Sequence, residues 1–429
     1  MPVETQDPVY LDHASTSWPK APGVAEAVAR ALVDEIGGPG RGGHAAARRG
    51  EAIRERARAR LSERLALRDR LAIFTSGATS ALNLALLGLC QPRGLGEGPA
   101  RRVLVSPREH NAVTRPLAWL EARGWARVST LPTDADGRVD PEASGDLAAG
   151  SATTPPADLC VCTAADNVTG LIQPVAPLAE ALRARSLPTL LLSDVSQTAG
   201  VRPLPTDAPG GAGADIIAFG AHKGLRGPAG LGVLAVGRRA FDPGGDPEAQ
   251  PLQPTSFGGT GGSGVGDESI APAHAPARFE AGTPPTPLLA GLLAALDALC
   301  EPRETHAGLE RTRGWLVRTI GATQHLPGLR WVGPAGRLAE HDDRSALAHT
   351  VGVASFAIEH DAWSPDTLAA ALDASFDIRV RAGLHCAPAA HRTLGTLERG
   401  GLVRVSPGAE TNEEDAERFA GALAAMLSA

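Results

Sequence analysis

Long apolar runs and cysteines are both scarce in this chain of 429 residues. No apolar run approaches the roughly 20 residues that a membrane-spanning helix needs, so we expect no membrane segment. The first ten residues, MPVETQDPVY, carry acids and lack the apolar core of a signal peptide, which indicates a cytoplasmic protein. Five cysteines are too few for a disulfide scaffold, and their odd number leaves at least one thiol free.

The chain also has no excess of positive charge, no internal repeat and no heptad run. The formal net charge of -7 argues against a nucleic-acid partner. Cys160 and Cys162 form a CxC pair, but without further ligands such a pair is weak evidence for metal. We therefore predict no metal site and expect both cysteines to be core residues.

Short apolar runs alternate with longer amphipathic runs between residues 71 and 236. This alternation predicts an α/β fold with a mostly parallel sheet. Ligands of such sheets collect at the carboxyl ends of strands, where Thr75, Asp194 and His222 fall. Strand and helix patterns resume after a helix near residues 288–299, with strands predicted at HTVGVASFAI, DIRVRAG and GLVRVSP. This predicts a smaller C-terminal α/β domain. We assign residues 21–290 to the large domain and residues 1–20 and 291–429 to the small one.

The segment 242–287 is rich in glycine and proline, and its composition allows two interpretations. By composition alone it is a flexible linker, especially over residues 242–254. A loop of this length inside a compact protein is more often functional or interfacial. Near the C-terminus, Thr411 and Glu414 have the spacing of a capping box and predict that Thr411 is the N-cap of the last helix.

An acid and a lysine follow two of the apolar runs. LLSDVSQTAG places Asp194 at the end of one run, and ADIIAFGAHKG places His222 and Lys223 after another. Pyridoxal phosphate (PLP) acts as an electron sink while a buried carboxylate keeps its ring nitrogen protonated. Burial or a neighbouring cation such as His222 shifts a lysine towards its nucleophilic neutral form. Each residue alone fits an ordinary strand end or surface, but together they predict a PLP pocket.

Further motifs follow other strands. The TSGAT turn opens a helix, so the N–H groups of Ala78 and Thr79 form a candidate phosphate cradle. His110 is a candidate for stacking on a flat ring and moving protons near neutral pH. Asn167 and Gln197 are candidate hydrogen-bond partners of the phenolic oxygen of PLP. Taken singly, each also fits a turn, surface or structural role.

Two arginines and a cysteine lie near the C-terminus. Cys386 follows His385 and stands five residues after Arg381, so nearby cations favour the thiolate that attacks electrophilic sulfur. A buried apolar cysteine is the alternative, although the flanking glycine, histidine and proline indicate an exposed loop. Arg404 alternates with valines and is a candidate carboxylate clamp, its alternative being a surface arginine. Arg381 is a second candidate for contact with the substrate.

The chain resembles the class V aminotransferase-fold enzymes of the cysteine desulfurase and selenocysteine lyase group. The resemblance runs nearly end to end, through the segments YLDHASTSWPK, GRGGH, TSGAT, EHNAV, NVTG, SDVSQTAG, AFGAHKG, RFEAGTPPT, RAGLHCAP and VRVSPG. It implies the type I fold of PLP-dependent transferases, PLP as cofactor and a homodimer. It also implies an amino-acid substrate, L-cysteine or selenocysteine, and a sulfur-acceptor protein as partner.

The resemblance also implies roles for single residues. Lys223 is the Schiff-base lysine, Asp194 pairs with the pyridinium, and His110 stacks on the ring. Asn167 and Gln197 contact the cofactor.

For the remaining candidates, the resemblance implies that His222 and the TSGAT turn bind the phosphate. Thr283 reaches the phosphate from the other subunit. Arg404 holds the substrate carboxylate, and Cys386 receives the sulfur.

The sequence departs from the family pattern at four positions. Gly220 replaces a common serine, so one hydroxyl donor to the phosphate is lost unless Thr260 or Thr283 compensates. Leu384 replaces a frequent histidine, and Ala164 and Asp166 depart from the pattern before NVTG. The sequence therefore predicts a cysteine desulfurase that forms alanine and a persulfide on Cys386. Selenocysteine lysis, another class V reaction on a different amino acid, and a degenerate non-catalytic scaffold remain the alternatives.

Overall fold

A computed structural model describes residues 7–40, 42–67, 69–92, 98–206, 213–242, 245–246, 249–259 and 274–428. The strands are β1 Val9–Tyr10, β2 Leu71–Thr75, β3 Arg101–Val105, β4 Ala126–Thr130, β5 Leu159–Val161, β6 Leu190–Asp194, β7 Ile216–Gly220, β8 Gly232–Val236, β9 Leu329–Trp331, β10 Ala354–Ile358, β11 Ile378–Arg379, β12 Arg381–Gly383 and β13 Leu402–Val405. The helices are α1 Val24–Val33, α2 Ala45–Arg64, α3 Ala78–Cys90, α4 Asn111–Glu121, α5 Pro141–Ala149, α6 Val175–Ala184, α7 Thr286–Asp297, α8 Pro302–Thr323, α9 Pro334–His341, α10 Ser345–Ala348, α11 Pro365–Phe376, α12 Pro388–Thr393 and α13 Glu413–Leu427.

A seven-stranded sheet with the order β2-β8-β7-β6-β5-β3-β4 forms the centre of the fold. Only β8 runs against its neighbours, so the predicted mostly parallel α/β sheet is confirmed. Every residue of β6, β7 and β8 is buried, because helices cover both faces. Apolar residues of α2, α6 and α7 pack on one face, and those of α3 and α4 pack on the other.

A second, antiparallel sheet has the order β12-β13-β10-β9 and packs against α8, α11 and α13. The N-terminal β1 joins this part of the fold, because it pairs in parallel with β11. Val9 and Leu11 are accordingly buried in the same apolar core as Phe356 and Phe419. The division into domains at residues 20 and 290 stays a prediction.

Two local predictions are wrong. The run DIRVRAG was expected to be one strand, but it divides at Val380 because β11 pairs with β1 while β12 pairs with β13. The N-cap of α13 is Asn412, whose side chain accepts from the N–H of Asp415 and whose own N–H bonds to the Asp415 carboxylate. Thr411 instead accepts the N–H of Gly408 at 2.8 Å, which places it before the helix.

Cys160 and Cys162 are fully buried, as predicted, and both contribute to the apolar core on the face of the sheet that α2 covers. Parts of the segment 242–287, including Thr260, lie outside the described residues. Over the residues that the structure describes, no helix is both long and apolar enough to cross a membrane. No cluster of three or more potential metal ligands occurs within the same ranges.

Candidate active site

A cavity of about 310 Å³ opens at the carboxyl ends of β6 and β7. It brings together ten of the candidate residues that are far apart in the sequence. They are Ala78, Thr79, His110, Asn167, Asp194, Gln197, His222, Lys223, Arg381 and Arg404. Convergence at this edge follows from the topology, since parallel strands direct their following loops to the same end of the sheet.

Asp194 is the last residue of the buried strand β6, Lys223 follows the buried strand β7, and both lie in the wall of this cavity. The pKa of Lys223 is lowered to about 8, chiefly by burial and to a smaller extent by Arg404 and Arg381, while Asp194 opposes the shift. Burial also lowers the pKa of His222 to about 4, with a smaller contribution from Lys223. The sequence interpretation of His222 as a cationic neighbour of the lysine is therefore wrong, because its imidazole is neutral at pH 7.

The TSGAT turn leads from β2 into the N-terminus of α3. Gly77 is its N-cap, with a φ of 149°, and no described atom lies within 4 Å of the place where a Cβ would stand, so the backbone faces open cavity. Hydroxyl groups of Ser76 and Ser80 lie 2.7 Å apart at the same wall. These groups and the first N–H groups of α3 are hydrogen-bond donors of the kind that suit an anion, and the predicted binding of phosphate here stays a prediction.

A side chain at position 220 would contact the ring of His222. A Cβ at position 220 would lie 3.1 Å from Cδ2 and 3.2 Å from Nε2 of the His222 ring. Serine at this position would thus require a small displacement of the imidazole. The hydroxyl that the family pattern places here is absent, whereas the hydroxyls of Ser76, Thr79 and Ser80 lie at this end of the cavity.

His110 is the N-cap of α4. Its Nδ1 accepts from the backbone N–H of Ala112 at 3.0 Å, so Nε2 carries the ring proton. Burial lowers the pKa of His110, although Asp194 opposes the shift, and the ring is neutral at pH 7. The side chain is therefore held at the cavity wall as a neutral donor, which refines the predicted role in proton movement.

Asn167 and Gln197 join the large sheet to other parts of the site. Nδ2 of Asn167 donates to the carbonyl of His385 at 2.6 Å. Nε2 of Gln197 donates to the carbonyl of Ala14 at 3.1 Å. Both amides line the cavity, and their predicted contact with the cofactor stays a prediction.

Arg404 is only 1% exposed, which rules out a surface arginine. Its Nη2 donates to Asp12 at 2.6 Å and to Oγ of Ser15 at 2.8 Å, and Nη1 donates to the carbonyl of Asn167 at 2.9 Å. Burial lowers the pKa of Arg404, whereas the Asp12 carboxylate raises it. Nη1 of Arg381 also donates to Ser15, at 2.6 Å. Sequence reasoning missed Asp12 and Ser15, although both stand in the quoted segment YLDHASTSWPK.

Cys386 is exposed, as predicted, and its Sγ lies 3.5 Å from Nη2 of Arg381. The predicted cationic neighbour Arg381 is thus in place. His385 is not a cation, because burial and then Arg404 hold its pKa well below the usual range. Nδ1 of its imidazole lies 3.3 Å from Nε2 of His391.

Thr283 is exposed just before α7 and does not line the cavity. Its implied role requires a second subunit and stays a prediction.

Two buried ionisable groups beside the site were not found from the sequence. Arg108 pairs with Asp166 at 3.3 Å, and both are at most 5% exposed. Glu109 is completely buried and accepts from Oγ of Ser106 and from the N–H of Thr163. Burial raises the pKa of Glu109 to about 8, so this carboxyl is largely protonated at pH 7. The sequence did offer a signal for Glu109, because this acid directly precedes the candidate His110 in the segment EHNAV.

Two neutral histidines predict a loss of stability in acid. Burial lowers the pKa of both His13 and His391 from 6.5 to about 4. Their contribution to stability is complete above pH 6.5 and is lost as the pH falls towards 4, because the unfolded chain takes up protons that the native state does not. Urea unfolding at pH 7 and pH 4.5 should show this decrease. His13→Gln should reduce the decrease, whereas the same change at the exposed His325 should not.

Comparisons with known proteins agree with the geometry. A family model described as Aminotransferase class-V matches residues 9–419. The chain is 32% identical over 413 residues to a protein of Pseudomonas aeruginosa named "Probable cysteine desulfurase", covering 96% of this chain and 91% of the relative. A Pseudomonas putida protein of the same name is 32% identical over 361 residues, covering 83% and 78% of the two chains. The apo structure of a cysteine desulfurase from Thermococcus onnurineus superposes with a TM-score of 0.79 at 24% identity, covering 98% and 95%.

Proposed function

This chain belongs to the class V aminotransferase family, and on that basis we propose that it is a PLP-dependent cysteine desulfurase. It converts L-cysteine to L-alanine and retains the sulfur as a persulfide on Cys386. The observation that carries the proposal is the placement of Lys223 and Asp194 in one cavity, with Arg381 linking that cavity to the Cys386 thiol.

The cavity fits PLP. Its volume of about 310 Å³ is in the range of small-molecule sites. The TSGAT turn and the start of α3 suit the phosphate, and Nδ1 of His222 is buried without a hydrogen-bond partner among the described residues. Oδ1 of Asp194 accepts the N–H of Ser196 at 2.9 Å, and this carboxylate suits a protonated ring nitrogen. Lys223 supplies the amine that would hold the cofactor.

When bound, PLP withdraws electrons from the Cα atom of the amino acid attached to it. Lys223 takes the proton from Cα, since a pKa of about 8 leaves part of its amine neutral near pH 7. Asp194 supplies the negative charge that keeps the ring nitrogen protonated. His110 lines the cavity with its proton on Nε2, because Nδ1 is engaged by the N–H of Ala112.

Arg404 and Arg381 orient the substrate carboxylate, and their common contact with Ser15 fixes their relative positions. Cys386 thiolate then attacks the substrate sulfur. A bond forms between the two sulfur atoms, and the electron pair of the carbon–sulfur bond stays with carbon, which takes up a proton to give alanine. Cysteine and one enzyme thiol thus become alanine and one enzyme persulfide.

The assembly follows from the same proposal. We infer a homodimer in which the partner subunit's Thr283 completes the phosphate site, because Thr283 is exposed here and lies outside the cavity of its own chain. The exposure of Cys386 suits delivery of sulfur to an acceptor protein. We also propose a cytoplasmic location and a division into two domains at residues 20 and 290.

A substrate screen tests the proposed reaction. Purified holoenzyme is given L-cysteine, L-selenocysteine and other amino acids, and alanine and sulfide are measured with and without a thiol reductant. We expect alanine from L-cysteine, with sulfide appearing only when the reductant is present. Alanine from selenocysteine alone, or no alanine from either substrate, would contradict the desulfurase assignment.

Asp194→Asn tests the electrostatic part of the mechanism. The amide keeps the shape of the side chain but removes the charge beside the ring nitrogen, so alanine formation should fall by roughly 10²- to 10⁴-fold, as for loss of an acid–base group. The absorbance spectrum of bound PLP should change with it. Asp146→Asn, at an exposed acid paired with Arg185, is the matched control and should keep parental rates. Equal rates for the two variants would count against Asp194.

A further inference from the structure

Two buried imidazoles, those of His385 and His391, lie near Cys386 in the fold and take no part in the proposed reaction. His385 is 2% exposed and His391 is fully buried, and their rings stack with centroids 5.4 Å apart. Nδ1 of His385 lies 3.3 Å from Nε2 of His391, and Nδ1 of His391 lies 2.8 Å from Oγ1 of Thr396. At the other end, Nε2 of His385 lies 3.4 Å from the carbonyl oxygen of Arg381.

One arrangement of protons satisfies these contacts together, and the carbonyl of Leu384 is a further acceptor beside His391. A carbonyl only accepts, so Nε2 of His385 donates to Arg381 and its Nδ1 carries the lone pair. Nε2 of His391 must then donate to that lone pair, which leaves Nδ1 of His391 to accept the hydroxyl proton of Thr396. Burial lowers the pKa of both imidazoles, so each carries a single proton, as this chain requires. The hydrogen bonds therefore run in one direction, from Thr396 to Arg381.

The segment that this chain supports has an unfavourable backbone. His385 and Cys386 have φ values of 51° and 56°, and two consecutive non-glycine residues in the left-handed region persist only when their surroundings fix them. Asn167 binds the carbonyl of His385, and the N–H of Asn111 binds the carbonyl of Cys386 at 2.8 Å. The histidine chain adds a third restraint, because it ties the imidazole of His385 to the carbonyl of Arg381, whose guanidinium contacts Sγ of Cys386.

We propose that His391 and Thr396 are positioning residues, which hold the loop of residues 381–387 so that the Cys386 thiol stays against Arg381. The inference rests on the proposed function, in which this thiol receives sulfur. Neither residue lines the cavity. Both act through His385.

The test compares two substitutions at Thr396 in the holoenzyme. Thr396→Val keeps the volume but removes the hydroxyl proton, which leaves a buried acceptor on His391 unsatisfied. Thr396→Ser keeps the hydroxyl and is the matched control. We expect amide hydrogen exchange in residues 381–396 to quicken by about tenfold in the valine variant, in line with the cost of an unsatisfied buried acceptor, and to stay parental in the serine variant. Nitrogen NMR of labelled histidine should show His391 protonated on Nε2 in the parent.

Kinetic measurements distinguish a displaced Cys386 thiol from a general loss of structure in the variant. In Thr396→Val, kcat for alanine formation should fall by about tenfold while KM for cysteine stays within twofold. The reason is that Arg404, which Asp12 and the carbonyl of Asn167 hold from outside the loosened segment, still binds the substrate carboxylate, whereas the nucleophile is displaced. Any of three results would overturn the proposal. Hydrogen exchange could be equal in the valine variant and the parent, kcat could fall equally in the valine and serine variants, or His391 of the parent could be protonated on Nδ1. A parental enzyme that forms no alanine would instead refute the desulfurase function, whereas the exchange and NMR comparison would still decide the role of Thr396.

Discussion

Replacing Lys223 with alanine should greatly reduce the formation of alanine from cysteine. In the proposed mechanism this side chain has two tasks, since it is both the amine that would hold the cofactor and the base that would take the proton from Cα. We expect alanine formation to fall by roughly 10²- to 10⁴-fold, the contribution of a positioned acid–base group, with a further loss from weaker retention of PLP. The measurement is the initial rate of alanine formation at saturating cysteine and PLP.

The sequence supplies its own control, because the chain contains only two lysines, Lys20 and Lys223. Nζ of Lys20 donates to Oγ1 of Thr16 at 2.9 Å and does not line the cavity. Borohydride reduction followed by peptide mapping should place the pyridoxyl label on Lys223 alone, and Lys20→Arg should keep both label and activity. A label on Lys20, or none on Lys223, would refute the assignment of the cofactor lysine.

Cys386→Ala should stop sulfur capture while leaving the cofactor in place. The substitution removes the sulfur atom that Arg381 contacts and that would receive the substrate sulfur. Alanine formation from L-cysteine should fall by at least the roughly 10²-fold that even a misplaced reacting group costs, and no protein persulfide should be detected by mass spectrometry. The spectrum of bound PLP should match that of the parent, because Cys386 does not line the cavity.

Cys300→Ser is the matched control for this experiment. Cys300 is the other exposed thiol among the described residues, and the remaining three cysteines are buried. Its loss should leave both persulfide and alanine yields at parental values. Parental alanine formation by Cys386→Ala would show that another group accepts the sulfur, or that sulfur leaves without capture.

Local signals in the sequence were sufficient to predict where the candidate residues at the strand ends lie. Asp194 and Lys223 follow apolar runs that became fully buried strands, and the TSGAT turn precedes an apolar helix. Each of these features depends on residues that are adjacent in the chain. Hydrophobic patterning and turn chemistry therefore predicted both the mostly parallel sheet and the edge at which these residues meet.

Charge states were not predictable in the same way. The sequence suggested that His222 and His385 are cations, but both are neutral because burial penalises the charged imidazole. Glu109 is largely protonated for the same reason. Burial is a property of the packed interior, and no window of neighbouring residues reports it.

By itself, the sequence determined the mostly parallel sheet, the family motifs and the choice of the residues that are proposed to carry the chemistry. Only the tertiary structure decided how residues separated by hundreds of positions meet, as when Asp12 and Ser15 bind Arg404. It also fixed the hydrogen-bond chain from Thr396 to Arg381. The physical reason is the sequence distance over which each effect acts. Backbone preferences and hydrophobic periodicity act between residues that are close in the sequence. Hydrogen-bond direction and desolvation depend on contacts that only the folded chain makes.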